Sequence, residues 1–135
     1  MVIPKTDPYT NQLAATSRLY TEWKKYNGII IGVDFDDTIN DFHEKGFTYP
    51  KAIHAIQKAQ AMGCTICSWT ANADETAVRT KFESLGIAID YYNTSPVMFE
   101  GTPKPYFNLL LDDRAGLGQA LDSLEACMSL ITKEV

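Results

Sequence analysis

The stretch GIIIGVDFDDTIN, residues 28–40, constrains the fold more than any other part of the chain. Apolar residues on consecutive positions are typical of a strand that is buried on both faces of a parallel sheet. We therefore predict a first strand over residues 29–35. Its end carries Asp34, Asp36 and Asp37, whose like charges repel one another and lose solvation near a core. Another feature of the protein must compensate for this unfavourable arrangement.

Segments with helical spacing alternate with apolar segments along the rest of the chain. The pattern predicts helices over 9–26, 50–63, 71–86 and about 115–131, and further strands over 64–69, 87–91 and 107–111. Asn72 or Asp74 is expected to cap the third helix. This order predicts an α/β domain in three layers, Rossmann-like, with a central parallel sheet. The length of 135 residues predicts one domain over 1–135, in which 1–28 form an N-terminal helical extension.

Composition excludes some classes of partner. The net charge of −5 argues against broad electrostatic affinity for nucleic acid or for an anionic membrane surface. No apolar run approaches the roughly 20 residues that cross a bilayer, and residues 1–10 lack the apolar core of a signal peptide. A cytoplasmic location without membrane association is the expectation.

The chain has three cysteines, Cys64, Cys67 and Cys127. Cys64 and Cys67 form a C-x-x-C pattern, which zinc sites and redox sites share. They fall on a predicted strand, however, where side chains three positions apart point to opposite faces. We therefore expect buried, free thiols.

Polar residues follow the other predicted strands. Thr70 ends the second strand, Asp112 and Asp113 end the fourth, and Lys104 lies in the loop before the fourth. In parallel sheets, ligands bind beyond the carboxyl ends of the strands. Clustered carboxylates without a His or Cys cluster favour Mg²⁺, which would relieve the repulsion between them.

These residue types suit phosphoryl transfer. A carboxylate such as Asp34 can attack phosphorus, and a second one such as Asp36 can act as general acid and base. Thr70 and Lys104 are suitable donors to the non-reacting oxygens, and backbone N–H groups after the first strand add to them.

The segment DFDDT, residues 34–38, resembles the D-x-D-x-T signature of the haloacid dehalogenase (HAD) superfamily of phosphotransferases. The threonine, the lysine and the acidic pair of LLLDDRA follow in the order of that family, and together the motifs span residues 29–114. The resemblance implies a HAD core. The short gaps between the motifs imply a member without a cap domain, similar to small phage-type and bacterial phosphatases.

The resemblance also implies roles for the acidic residues. Asp34 would be the nucleophile and a ligand of Mg²⁺, and Asp36 the general acid and base with its backbone carbonyl on the ion. Asp112 would bind the ion directly, and Asp113 would bind it through water or orient the lysine. Thr38 would brace the loop.

The implied phosphate-binding set is Thr70, Lys104, Phe35 and Ala71. Lys104 lies only eight residues before Asp112, closer than in many family members. Its match to the family is therefore weaker than the matches of the other motifs.

The resulting hypothesis is a Mg²⁺-dependent phosphate monoester hydrolase that acts through an aspartyl-phosphate. The substrate class stays open between a nucleotide, a polynucleotide end, a sugar phosphate and a phosphoprotein, and nucleic acid enters only as substrate. The oligomeric state also stays open, as do roles for His43, Arg114 and Trp69. The alternatives are a receiver-like phospho-switch and a non-catalytic domain that binds phosphate or metal.

Overall fold

The computed structural model describes residues 7–134. A short 3₁₀ helix, Pro8–Thr10, precedes four α-helices and four strands. In chain order these are α1 (Gln12–Tyr26), β1 (Ile30–Val33), α2 (Pro50–Ala61), β2 (Thr65–Ser68), α3 (Glu75–Ser84), β3 (Tyr91–Tyr92), β4 (Leu109–Leu111) and α4 (Leu117–Lys133).

The four strands form one parallel sheet in the order β3-β2-β1-β4. Val33 at the end of β1 pairs in register with Ser68 of β2 and with Leu111 of β4. The residues that follow these three strands therefore leave the sheet side by side. The prediction of an α/β fold with a central parallel sheet is confirmed.

One face of the sheet packs against the helices. Ile31 and Val33 of β1 and Ile66 of β2 join buried side chains of all four helices in a single apolar core. Helix α4 packs against both α1 and α2. This core fixes β1 in the middle of the sheet and so fixes the place where its acidic end emerges.

The opposite face is covered by the connection between β3 and β4. Gly32 faces this side, where the ring of Phe107 lies so close that a Cβ on Gly32 would approach it to 2.5 Å. Trp69 packs edge-on against the same ring. The sheet therefore lies between a layer of helices and a layer formed by residues 93–108, which completes the three predicted layers.

All four strands are shorter than predicted, and at the starts of β3 and β4 side chains replace backbone groups. The carboxylate of Asp90 accepts from Ile66 N–H at 2.8 Å, and the regular pairing of β3 begins only at Tyr91. Similarly, Asn108 Oδ1 accepts from Ile30 N–H at 2.7 Å just before β4.

The helix ends follow the sequence signals. Of the two predicted caps of α3, Asp74 is the one used, since its carboxylate accepts from Ala77 N–H at 3.0 Å. The predicted stop at Gly86 has a left-handed backbone, with φ of 74°.

The cysteines are buried and free, as predicted. Burial raises the pKa of the Cys64 and Cys127 thiols to about 11 and that of Cys67 to about 12. These thiols are therefore protonated at neutral pH and are poor nucleophiles and metal ligands.

Within residues 7–134, the segment between β1 and α2 contains no helix and no regular strand, only the isolated pairing of Asp36 with Asn40. It forms a short loop above the end of β1, and the described part of the chain has no folded unit inserted there. None of the helices in the same residues has both the length and the apolar character needed to cross a membrane.

Candidate active site

Three carboxylates from two neighbouring strands meet at the carboxyl edge of the sheet. Asp34 follows β1 directly, and its backbone N–H donates to Leu111 O of β4 at 2.9 Å. Asp112 and Asp113 follow β4. One carboxylate oxygen from each of the three acids lies within 4.8 Å of the other two. The sequence prediction that separate segments bring acidic residues together is realised in this geometry.

Thr38 connects the two acidic segments. Its side chain is 0% exposed. Its hydroxyl lies 3.0 Å from Asp34 Oδ2 and 3.3 Å from Asp113 Oδ1, and it accepts from Asp113 N–H at 3.0 Å. A buried hydroxyl with polar partners on both segments fixes their relative position. Thr38 thus connects the loop after β1 to the segment after β4.

The crowding of these acids perturbs Asp34. Burial is the main cause that raises the pKa of its carboxyl from 3.8 to about 7, and the hydrogen bond with Asp113 adds to it. The negative charges of Asp112 and Asp113 act in the same direction, while the Thr38 hydroxyl opposes them. The site therefore disfavours a full set of ionised carboxylates in the absence of a cation.

The three clustered carboxylates fit Mg²⁺ as ligands. All three candidate ligands are carboxylates, and hard oxygen ligands of this kind suit Mg²⁺, which typically binds through one or two carboxylates and retains several waters. Asp34 and Asp112 are half-buried, whereas Asp113 is exposed. This difference makes Asp34 and Asp112 the better placed direct ligands.

Asp36 lies apart from this cluster. Its carboxylate does not belong to the group of three, and Asn40 Nδ2 donates to Asp36 Oδ1 at 2.9 Å. Within residues 7–134, no hydrogen bond occupies the backbone carbonyl of Asp36. The other carboxylate oxygen of Asp36, Oδ2, has no hydrogen-bond partner among the described residues and is available for proton transfer. The backbone carbonyl stays open for the expected contact with an ion.

The exit of β2 presents two donors. Thr70 Oγ1 accepts from Asn72 N–H at 3.1 Å, which leaves the hydroxyl proton free to be donated elsewhere. The N–H groups of Trp69, Thr70 and Asn72 all have acceptors. Among residues 69–72, Ala71 N–H has no acceptor in the part of the chain that the structure describes.

The exit of β1 presents further donors. The N–H groups of Phe35 and Asp36 have no hydrogen-bond acceptor among the described residues, although their neighbours Asp34 and Asp37 do. Phe35 itself is buried, so its contribution to a ligand is through the backbone. Unpaired N–H groups at a strand end are suitable partners for an anion.

Two cavities adjoin the carboxylates. The first, here called the Thr70 cavity, has a volume of about 540 Å³ and is lined by Asp34, Trp69, Thr70, Ala71, Asn93 and Asp112. The second, the Asp36 cavity, has a volume of about 340 Å³ and is lined by Asp34, Asp36, Asp37, Phe42, His43, Asp112, Asp113 and Arg114. Asp34 and Asp112 border both cavities. These candidate metal ligands therefore lie between the cavity that Thr70 and Ala71 line and the cavity that Asp36 lines.

Lys104 is not brought to this site. It lies in the exposed tip of the 93–108 connection, beyond an isolated pairing of Met98 with Pro105, and it lines neither cavity. The structure therefore gives no support to the expected contact of Lys104 with phosphoryl oxygens or to its orientation by Asp113. Val97, Phe99 and Tyr106 of this connection line a cavity together with Gly28 and Ile30, at the amino end of β1 and thus at the edge of the sheet opposite the carboxylates.

Other charged residues near the site have local roles or lie at its rim. The carboxylate of Asp41 accepts from the N–H groups of Lys45 and Gly46 and so shapes the loop. His43 Nε2 lies 3.5 Å from Asp37 Oδ2. Arg114 is exposed beside the Asp36 cavity and forms no ion pair with the described residues.

Sequence reasoning missed Asn93. This residue follows β3, lines the Thr70 cavity and bonds to the backbone of Thr70 through both atoms of its amide. A single asparagine after a tyrosine pair carries no local signal of such a role, because its partner lies 23 residues earlier in the chain.

Comparison with known proteins adds evidence on the fold. No protein-family model matches the chain. No curated protein matches it either. A solved structure, described as that of a conserved protein coded by a locus from Bacteroides thetaiotaomicron, is similar with a TM-score of 0.59 and 21% sequence identity. The similarity covers 81% of this chain and 93% of that one. At this identity the likeness supports the Rossmann-like α/β fold alone.

Proposed function

We propose that this protein is a Mg²⁺-dependent phosphate monoester hydrolase in which Asp34 is the nucleophile. The observation that carries the proposal is the meeting of Asp34, Asp112 and Asp113 within 4.8 Å beside the donors of Thr70 and Ala71. The resemblance of DFDDT and LLLDDRA to HAD motifs supports the same assignment.

In the first step, a carboxylate oxygen of Asp34 bonds to phosphorus while the bond from phosphorus to the leaving oxygen breaks. Asp36 donates its proton to that oxygen. In the second step, water attacks phosphorus, Asp36 takes the proton of the water, and the bond from phosphorus to Asp34 breaks to release inorganic phosphate. A bound Mg²⁺ would compensate the negative charge at the reacting centre and favour the ionised form of Asp34.

The two cavities suggest how a substrate is oriented. The hydroxyl of Thr70 and the N–H of Ala71 are placed to hold the non-reacting phosphoryl oxygens in the Thr70 cavity. Because the general acid must reach the leaving oxygen, the leaving group belongs in the Asp36 cavity, next to Phe42, His43 and Arg114. Arg114 replaces Lys104 in this proposal as the cationic side chain, because it lines the rim of the Asp36 cavity.

The receiver-like alternative is less well supported. A receiver domain carries its phosphorylated aspartate after the third strand, where this chain has Asn93. In this chain the clustered carboxylates, Asp34, Asp112 and Asp113, follow β1 and β4 instead.

The direct test is hydrolysis of p-nitrophenyl phosphate by the purified protein with and without Mg²⁺. We expect turnover only with Mg²⁺, and a loss of at least 1,000-fold in Asp34→Asn because the nucleophile is removed. Asp122→Asn is the matched control, since that exposed carboxylate lies on α4, pairs with Lys51 at 2.9 Å and lines neither cavity. Absence of Mg²⁺-dependent turnover on this ester and on a panel of phosphorylated metabolites and oligonucleotides would contradict the proposal.

A further inference from the structure

We propose that Asn93 is a positioning residue that orients the β2 exit loop so that Thr70 and Ala71 bind the phosphoryl group. This inference rests on the proposed function and assigns to β3 a part in the site. Asn93 lies at the end of β3, two strands away from the nucleophile, and borders the same cavity as Asp34.

The side-chain amide of Asn93 holds the backbone of Thr70 at two points. Asn93 Oδ1 accepts from Thr70 N–H at 2.8 Å, and Asn93 Nδ2 donates to Thr70 O at 2.8 Å. The backbone N–H of Asn93 also donates to Ser68 O at 2.8 Å. Paired hydrogen bonds of this kind fix both the position and the plane of the peptide groups on either side of Thr70.

This arrangement determines which donors face the cavity. The N–H of Thr70 is directed to Asn93 and is not available to a ligand, while the next N–H, that of Ala71, stays unpaired among the described residues. The hydroxyl of Thr70 is fixed in turn as an acceptor of Asn72 N–H, so its proton is available to a ligand. Asn93 therefore selects two neighbouring donors, one from a side chain and one from the backbone, that can reach the same anion.

The backbone of Asn93 suits this role. Its φ of 52° lies in the left-handed region, which asparagine adopts more readily than other residues with a Cβ. A second contact supports the loop, because the hydroxyl of the preceding Tyr92 donates to Asn72 O. Both contacts tie the end of β3 to the exit of β2, on either side of the two donors.

The test uses Asn93→Gly, which keeps the left-handed backbone accessible and removes the amide. Asn27→Gly is the matched control, because Asn27 has a similar φ of 56° at the end of α1 and lines neither cavity of the site. Three quantities are measured in each protein: the exchange rate of the Thr70 amide by NMR, the Kd of inorganic phosphate with Mg²⁺ present, and the Tm.

We expect Asn93→Gly to accelerate exchange of the Thr70 amide and to raise the phosphate Kd by about tenfold, as the loss of about one hydrogen bond to an anion would. The amide of Ile31 in the core should remain protected. Asn27→Gly should change neither the phosphate Kd nor the exchange of Thr70. Two results for Asn93→Gly would overturn the positioning role. One is faster exchange of the Thr70 amide with an unchanged phosphate Kd, and the other is unchanged exchange of the Thr70 amide. Wild-type protein that neither binds phosphate nor hydrolyses an ester would instead contradict the proposed function, and any effect of Asn93 would then be structural only.

Discussion

At the scale of single residues, Asp34 shows what the acidic cluster does to its members. Partial burial and, after it, the two neighbouring carboxylates raise its pKa to about 7, while the hydrogen bond from the buried Thr38 hydroxyl, at 3.0 Å, opposes this shift. A carboxyl in this state is a poor nucleophile until a cation favours its ionised form. The repulsion among these carboxylates, which disfavours their ionised forms, thus favours the binding of a divalent ion that relieves it.

This state of Asp34 predicts an unusual pH dependence of stability in the metal-free protein. Between its ordinary pKa of 3.8 and the folded value of about 7, the folded protein holds more protons than the unfolded chain. The contribution of Asp34 to the free energy of unfolding therefore decreases as pH rises through this window and is constant above it.

Calorimetry between pH 4 and pH 8 with a chelator present would check this. We expect the Tm of Asp34→Asn to exceed that of the wild type increasingly as pH rises, and added Mg²⁺ to reduce the difference. A difference in Tm that does not change with pH would show that the Asp34 pKa is not raised.

At the scale of secondary structure elements, β1 depends on a close approach to the segment that precedes β4. Gly32 has no Cβ, and the ring of Phe107 occupies the space where a Cβ would lie. This contact closes the face of the sheet that the helices do not cover.

We expect Gly32→Ala to destabilise the protein by about 1–3 kcal/mol, as overpacking in cores generally does. Gly118→Ala in α4 should cost nothing, because a Cβ there meets no atom within 4 Å. Denaturant unfolding of Gly32→Ala, Phe107→Ala and the double variant would measure the coupling. If Gly32→Ala costs as much without the Phe107 ring as with it, this contact is not the constraint.

The limits of sequence reasoning also appear at this scale. The apolar run before Asp34 predicted β1 because burial on both faces leaves a local pattern. The starts of β3 and β4 were placed too early because the side chains of Asp90 and Asn108 take the place of backbone groups, which no periodicity reveals. Strand ends that depend on a single side chain are set by tertiary contacts.

At the scale of the whole molecule, the sheet topology explains which parts of the site were predictable. The residues after β1, β2 and β4 converge because these strands are parallel neighbours, so Asp34, Thr70 and Asp112 follow from the order of elements. Lys104 and Asn93 do not follow from it. Lys104 belongs to the 93–108 connection, which contacts the amino end of β1 through Val97, Phe99 and Tyr106. Asn93 acquires its partner only when β3 packs beside β2.

The central claim is that two distant segments of the chain jointly bind one divalent cation. Crystals grown with Mn²⁺ as a substitute for Mg²⁺, measured by anomalous diffraction, test it most directly. The account predicts one strong anomalous peak in contact with carboxylate oxygens of both Asp34 and Asp112, and no peak there in Asp112→Asn crystals. A peak that contacts only one of the two segments, or no peak at the strand ends at a saturating Mn²⁺ concentration, would contradict it.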